Sequence, residues 1–156
     1  MKRTTLMAAA LLLAAATTQG AMASARYPVI KDKMVKEECG ACHMPFLPSL
    51  LPARSWEKIM DTLPDHFGED ASLPQEKVDA IKAYLMDNAA DSLKYSRMMR
   101  GLKKKDVPLR ITRLPYWIRA HKWEVPARRW KDPRVGSKSN CKACHRAAEK
   151  GWFGDD

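Results

Sequence analysis

Apolar residues recur at helical spacing in several stretches of the chain. Val78, Ile81, Leu85 and Ala89 stand at i, i+3, i+7 and i+11, one face of a helix. Ser72-Leu73-Pro74-Gln75 reads as a capping box with proline in the first turn, so this helix is predicted from there to about Ala89. An earlier helix is predicted over 31–41, with Met34 and Val35 turned inward, and a shorter one over 55–63, stopped by Pro64. Between them, "MPFLPSLLPARSW" carries prolines at 45, 48 and 52 and predicts an apolar loop. Pro115 opens another short helix, "PYWIRAHKW", followed by an irregular stretch from Trp123 to Val135. Ser139 or Asn140 is expected to cap a last helix that Gly151 ends. No strand-like alternation appears, so the predicted class is all-α.

The first 25 residues follow a different logic. Lys2 and Arg3 precede the apolar run Leu6–Ala16, which is short for a membrane span, and two small-x-small triplets end at Ala23 and Ala25. This is the pattern of a secretory signal peptide, cleaved near Ala23 or Ala25, and it predicts a periplasmic protein. The remainder is long enough for one domain or two small ones, and the boundaries expected here are 26–90 and 91–156.

Charge separates the same two halves. Residues 26–90 hold eight Lys and Arg against eleven Asp and Glu, whereas residues 91–156 hold eighteen against seven. A half this basic implies an acidic protein partner or an anionic surface, and export argues against nucleic acid. Residues 91–109 are expected to form a basic, solvated connector.

Every cysteine falls in one of two identical frames, Cys39-Gly40-Ala41-Cys42-His43 and Cys141-Lys142-Ala143-Cys144-His145. Exported cysteines ordinarily form disulfides, but disulfide formation needs no histidine directly after the second cysteine. A thioredoxin-like redox pair requires a βαβ setting that is missing here. A Cys₄ zinc ribbon spaces its pairs by about 15 to 20 residues, not by about a hundred as here. C-x-x-C-H is the attachment signature of c-type haem: two sulfurs on one turn reach one porphyrin, and the next side chain meets the iron. The expected cofactors are two covalently bound haem c groups, on Cys39 and Cys42 and on Cys141 and Cys144.

The four histidines then divide evenly. With His43 and His145 each on one face of an iron, His66 and His121 remain for the opposite faces. His66 lies twenty-three positions after His43 and His121 twenty-four before His145, ample chain to pass round a porphyrin edge. The expected axial pairs are His43 with His66 and His121 with His145. Met98 and Met99 are the sulfur competitors, since Met44 adjoins His43 and Met60 and Met86 occupy apolar helical positions.

Second contacts follow from the same reading. The proline-rich loop offers a backbone carbonyl to Nδ1 of His43. Asp65, Glu69 and Asp70 around His66 favour ferric iron, and the lack of a thioether ligand implies low potentials. Trp123, Trp130, Trp152 and Phe153 are expected to pack against haem. Domains this small need a covalent or metal support, so each half is expected to be largely unfolded without its haem.

"CGACHMPFLPSLLPARSW", "DHFGEDASL", "PLRITRLPYWIRAH" and "CKACHRAAEKGWF" resemble the periplasmic dihaem cytochrome c family (DHC) over about residues 34–153. The resemblance implies a cytochrome c-like N-terminal haem domain, a smaller and irregular C-terminal haem domain, and bis-histidine ligation by His43, His66, His121 and His145. It implies an electron carrier rather than an enzyme, passing electrons to a monohaem, oxygen-binding cytochrome c and receiving them from a membrane cytochrome b. The alternative from another class is a haem enzyme or gas sensor with one open or displaceable site.

Overall fold

The computed structural model describes residues 26–154. Residues 1–25, for which a signal peptide is expected, lie outside the described residues. Among the described residues five helices, α1 Lys33–Gly40, α2 Ala53–Met60, α3 Gln75–Asp87, α4 Pro115–Lys122 and α5 Ala127–Trp130, are interspersed with 3₁₀ turns. Among the described residues there is no strand, only the isolated bridges Arg26 to Trp152 and His66 to Glu69, and the all-α class is what the molecule shows. No described helix is long and apolar enough to cross a membrane.

α1 begins where Asp32, in extended backbone, accepts a hydrogen bond from the Val35 amide at 3.0 Å and relieves an orphan donor of the first turn. Its inward residue Val35 is 1% exposed. The proline-rich stretch that follows is itself core. Leu47, Leu50 and Leu51 are buried, Pro48–Leu50 forms a 3₁₀ turn, and the Trp56 indole donates to the Pro48 carbonyl at 2.7 Å. α2 buries Ser55, Trp56, Ile59 and Met60 on one side, which rests on Ile81 and Leu85 of α3.

Two helix boundaries differ from expectation. α2 ends at Met60, before Pro64, because the Thr62 hydroxyl donates to the Lys58 carbonyl at 2.9 Å and the chain turns into the 3₁₀ segment Leu63–Asp65. α3 begins at Gln75 without a capping box. Ser72 instead donates its amide to Asp70 at 2.9 Å, and the Gln75 side chain donates to Asp79 at 2.8 Å. Local carboxylates won both groups.

The basic connector is less solvated than its composition predicts. The Ala90 amide donates to the Leu51 carbonyl at 2.8 Å, Met98 is buried, and Met99 packs against the core. Arg54 of α2 donates to the Asp106 carbonyl at 2.7 Å and the Lys103 carbonyl at 3.2 Å and pairs with Asp91 at 3.4 Å. Leu114, fully buried beside these residues, anchors the start of α4.

The predicted last helix is the largest departure. Cys141–Ala143 and Ala148–Lys150 are 3₁₀ turns without side-chain caps, because Ser137 and Asn140 bond nearby backbone and few apolar residues fall at helical spacing. Gly151 does end this segment, at φ +75°. The Tyr27 amide donates to its carbonyl at 2.8 Å, and the Tyr27 ring meets Phe153 edge-on at 5.4 Å. Burial pushes the Tyr27 phenol up to about 12.

Candidate haem sites

α1 brings Cys39 to its last turn, and His43 follows the helix end. The ring nitrogen Nδ1 of His43 lies 2.8 Å from the Met44 carbonyl, a residue of the proline-rich loop. A carbonyl only accepts, so Nδ1 is the donor and Nε2 is the ring nitrogen left to face a metal. Phe46 flanks the ring at 5.0 Å.

The His66 ring faces that of His43 with centroids 6.2 Å apart and planes 19° from parallel. A tight turn holds it there. The His66 amide donates to the Glu69 carbonyl at 2.7 Å, and the Gly68 amide donates to Asp65 at 3.1 Å. Phe67 and Gly68 both have positive φ, +60° and +102°, the backbone of a two-residue turn of the primed type. For Phe67 this conformation costs roughly 1–2 kcal/mol, and its ring is pinned between His66 at 4.9 Å and the Arg110 guanidinium at 4.1 Å. Burial first, then the neighbouring His43 and Arg110, holds His66 below the usual imidazole pKa and favours the neutral ring.

At the second site His121 stands on α4, and its Nδ1 donates to the Trp117 carbonyl at 2.8 Å. The Trp117 indole lies flat on the imidazole, 4.0 Å away and 19° from parallel, with Trp130 at 6.1 Å. His121 is held below the usual imidazole range chiefly by burial, against the opposing pull of the Trp117 carbonyl. His145 faces it at 6.2 Å with planes crossed at 83°. The His145 Nδ1 is 3.4 Å from the Gly154 carbonyl, and Phe153 sits 5.5 Å from the ring.

Both separations have a chemical meaning. Parallel rings in face-to-face contact stand near the 4.0 Å of Trp117 and His121, closer than the near-parallel pair His43 and His66. Two imidazoles on opposite faces of one metal place their nitrogens about 4 Å apart, and the half-rings behind add about 2 Å. The centroid spacing of 6.2 Å, found twice, matches in length the distance across one metal ion held between two imidazoles. None of the four cysteines is joined in a disulfide, and burial pushes the thiols of Cys39 and Cys141 up to about 11. Reactive redox thiols have lowered pKa values, so a dithiol oxidoreductase is disfavoured. Among the described residues no group of three or more His, Cys, Asp or Glu is assembled to hold a bare metal ion. A porphyrin brings four nitrogens of its own, and the facing histidines and the two cysteine pairs fit it.

The methionine competitors lie elsewhere: Met98 and Met60 are in the core and Met99 packs against it. Trp123, expected against haem, is 82% exposed with the Lys122 ammonium 4.6 Å above its ring. Three contributors escaped the sequence reading. Arg110 reaches Phe67 from forty-three positions away, a juxtaposition no local pattern signals. It adds positive charge where only the acids were expected. Phe67 gives no turn signal, being bulky. The Trp117 carbonyl was findable, four residues before His121 on one helix.

An all-α fold with two C-x-x-C-H frames, each beside a facing pair of imidazoles, defines a c-type cytochrome with two haems. The dihaem cytochrome c family matches residues 35–153, and the chain belongs to that family. A diheme cytochrome c from Rhodobacter sphaeroides is 49% identical, with a TM-score of 0.76 over 80% of this chain and 98% of that one. A second structure of DHC purified from Rhodobacter sphaeroides is 44% identical, TM-score 0.68, over 81% of this chain and 100% of that one. The diheme cytochrome sb-DHC of Shewanella baltica is 35% identical, TM-score 0.66, over 81% of this chain and 89% of that one. No curated protein matches. Membership means two covalently bound haem c groups and an electron-transfer cytochrome of a typically exported family.

Proposed function

We propose that the chain is a periplasmic, low-potential one-electron carrier whose two irons have both faces closed by histidine, His43 with His66 and His121 with His145. Cys39, Cys42, Cys141 and Cys144 hold the porphyrins through thioether bonds. The observation that carries this reading is the 6.2 Å spacing of both imidazole pairs. Haem would supply the one-electron couple; the chain orients the histidine nitrogens, and burial favours the neutral form of His66 and His121. Carbonyls of Met44, Trp117 and Gly154 fix the tautomer at three of the four rings.

The basic half, residues 91–156, recruits an acidic redox partner, by family resemblance a monohaem, oxygen-binding cytochrome c, with a membrane cytochrome b as donor. Such contacts are small and transient. Optical and EPR spectra of the oxidised protein test the ligation. Low-spin signals without a sulfur-to-iron charge-transfer band, altered one at a time in His66→Met and His121→Met, are expected. Sulfur, water or an empty face at either iron refutes it.

One observation favours a second reading, a haem enzyme or gas sensor. The turn carrying His66 holds Phe67 at a strained φ, so His66 is the ligand best placed to leave. Ready carbon monoxide binding to one haem of the reduced protein selects this reading, and refusal at both selects the carrier.

A further inference from the structure

The two imidazole pairs have the same spacing, 6.2 Å, and opposite orientation: the planes are 19° apart in one and 83° apart in the other. A ring bound through Nε2 is free to turn about its iron–nitrogen axis unless something on its far side stops it. At His121 two features do. The Trp117 carbonyl accepts Nδ1–H at 2.8 Å, and the Trp117 indole lies flat against the ring at 4.0 Å. A quarter turn of the imidazole breaks the hydrogen bond and drives the ring edge into the indole. Trp130, 5.8 Å from Trp117 and 6.1 Å from His121, closes the same corner. His145 is held more loosely, with its Nδ1 contact at 3.4 Å and Phe153 tilted by 60°. The crossing is therefore imposed from the His121 side.

We infer that Trp117 is a positioning residue that sets the His121 plane, so that the chain builds two electronically unlike haem sites, one with near-parallel and one with crossed imidazoles. The inference rests on the bis-histidine reading above. Its consequence follows from ligand-field chemistry. An imidazole donates π density from the orbital normal to its ring. Parallel rings both donate to one iron d orbital and separate it from its partner; crossed rings donate one to each and leave the two nearly level. A ferric centre of the first kind has three well-spread g values, and one of the second kind shows a single very large g value. In the parallel case the missing electron sits in an orbital raised by both rings, which favours ferric iron. Crossing removes that preference, and the basic surroundings of the second site act in the same direction. The His121/His145 centre is thus the easier to reduce.

The test is low-temperature EPR of the fully oxidised holoprotein. Two low-spin signals in equal amount are expected, one rhombic and one with a very large g, and His66→Met removes only the rhombic one. Two rhombic signals overturn the crossing while leaving the ligation intact; a high-spin signal or a sulfur charge-transfer band refutes the ligation itself. In Trp117→Ala the large-g feature moves toward the rhombic type, and Trp117→Phe, which keeps a flat ring, restores it. An unchanged large-g feature in Trp117→Ala overturns the role of Trp117. If that variant fails to take up its second haem, Trp117→Leu, which keeps bulk without a flat face, is read by the same criterion. A redox titration followed by EPR should show the large-g signal disappearing first; the opposite order overturns the assigned ranking.

Discussion

Around Cys39–His43 the backbone is helical to Gly40 and adjoins a core of Val35, Leu47, Leu50, Leu51, Ile81 and Leu85. Around Cys141–His145 it consists of two 3₁₀ turns, and the buried apolar residues of that half beyond α4 are Val135 and Ala148. One attachment motif thus serves two kinds of protein. A fully buried leucine or isoleucine contributes roughly 1.5–3 kcal/mol, so the first half holds much of its shape by packing. The second half, with little to bury, relies on its covalent cofactor and on aromatic contacts to the histidines. The pentad fixes the chemistry, and the apolar residues around it decide how much structure exists before the chemistry is done.

The comparison is broken most severely by withholding one haem at a time. Replacing Cys141 and Cys144 by alanine should unfold residues 115–154 while α1 to α3 stay protected, seen as fast hydrogen exchange confined to the C-terminal half. Replacing Cys39 and Cys42 should leave residual helix in the first half; equal losses in both experiments contradict the asymmetry drawn here. Ile81→Ala, at a fully buried position between α2 and α3, should cost about 3 kcal/mol, read from the denaturant midpoint. Gly151→Ala places a Cβ against the Tyr27 carbonyl at a positive φ and should cost about 2 kcal/mol, with tryptic cleavage after Arg26 as a second readout.

Smaller effects sharpen the picture. Tyr27 titrates late, so its neutral phenol contributes stability that is fully present below the ordinary pKa of 10.0 and lost as pH rises through about 12. Spectrophotometric titration should show one tyrosine ionising last, absent in Tyr27→Phe. Arg110→Ala should cost only about 0.5–1 kcal/mol through the lost contact with Phe67.

What could be read in the sequence tracks the same division. α1 and α3 were legible because Val35 in one and Ile81 and Leu85 in the other fall on an apolar face that the core receives, although the cap read for α3 did not form. The last helix was misread because Ser139, Asn140 and Gly151 supply plausible ends while the residues between them lack a buried stripe. Start and stop signals do not make a helix without something to pack it against. The histidine pairs were reachable by elimination, since only four histidines exist. The angle between their rings was not, because it depends on an indole, a carbonyl and a loop that local pattern does not bring together.

Tyr27 gives its amide to Gly151 and its ring to Phe153, and Arg26 bridges to Trp152. During synthesis those first residues emerge long before the partners that receive them, so this closure is the last long-range step available to the polypeptide. A product halted between His43 and Gly151 would carry the first pentad complete and still have an open seam, exposing the Tyr27 ring to proteases that the finished molecule turns away.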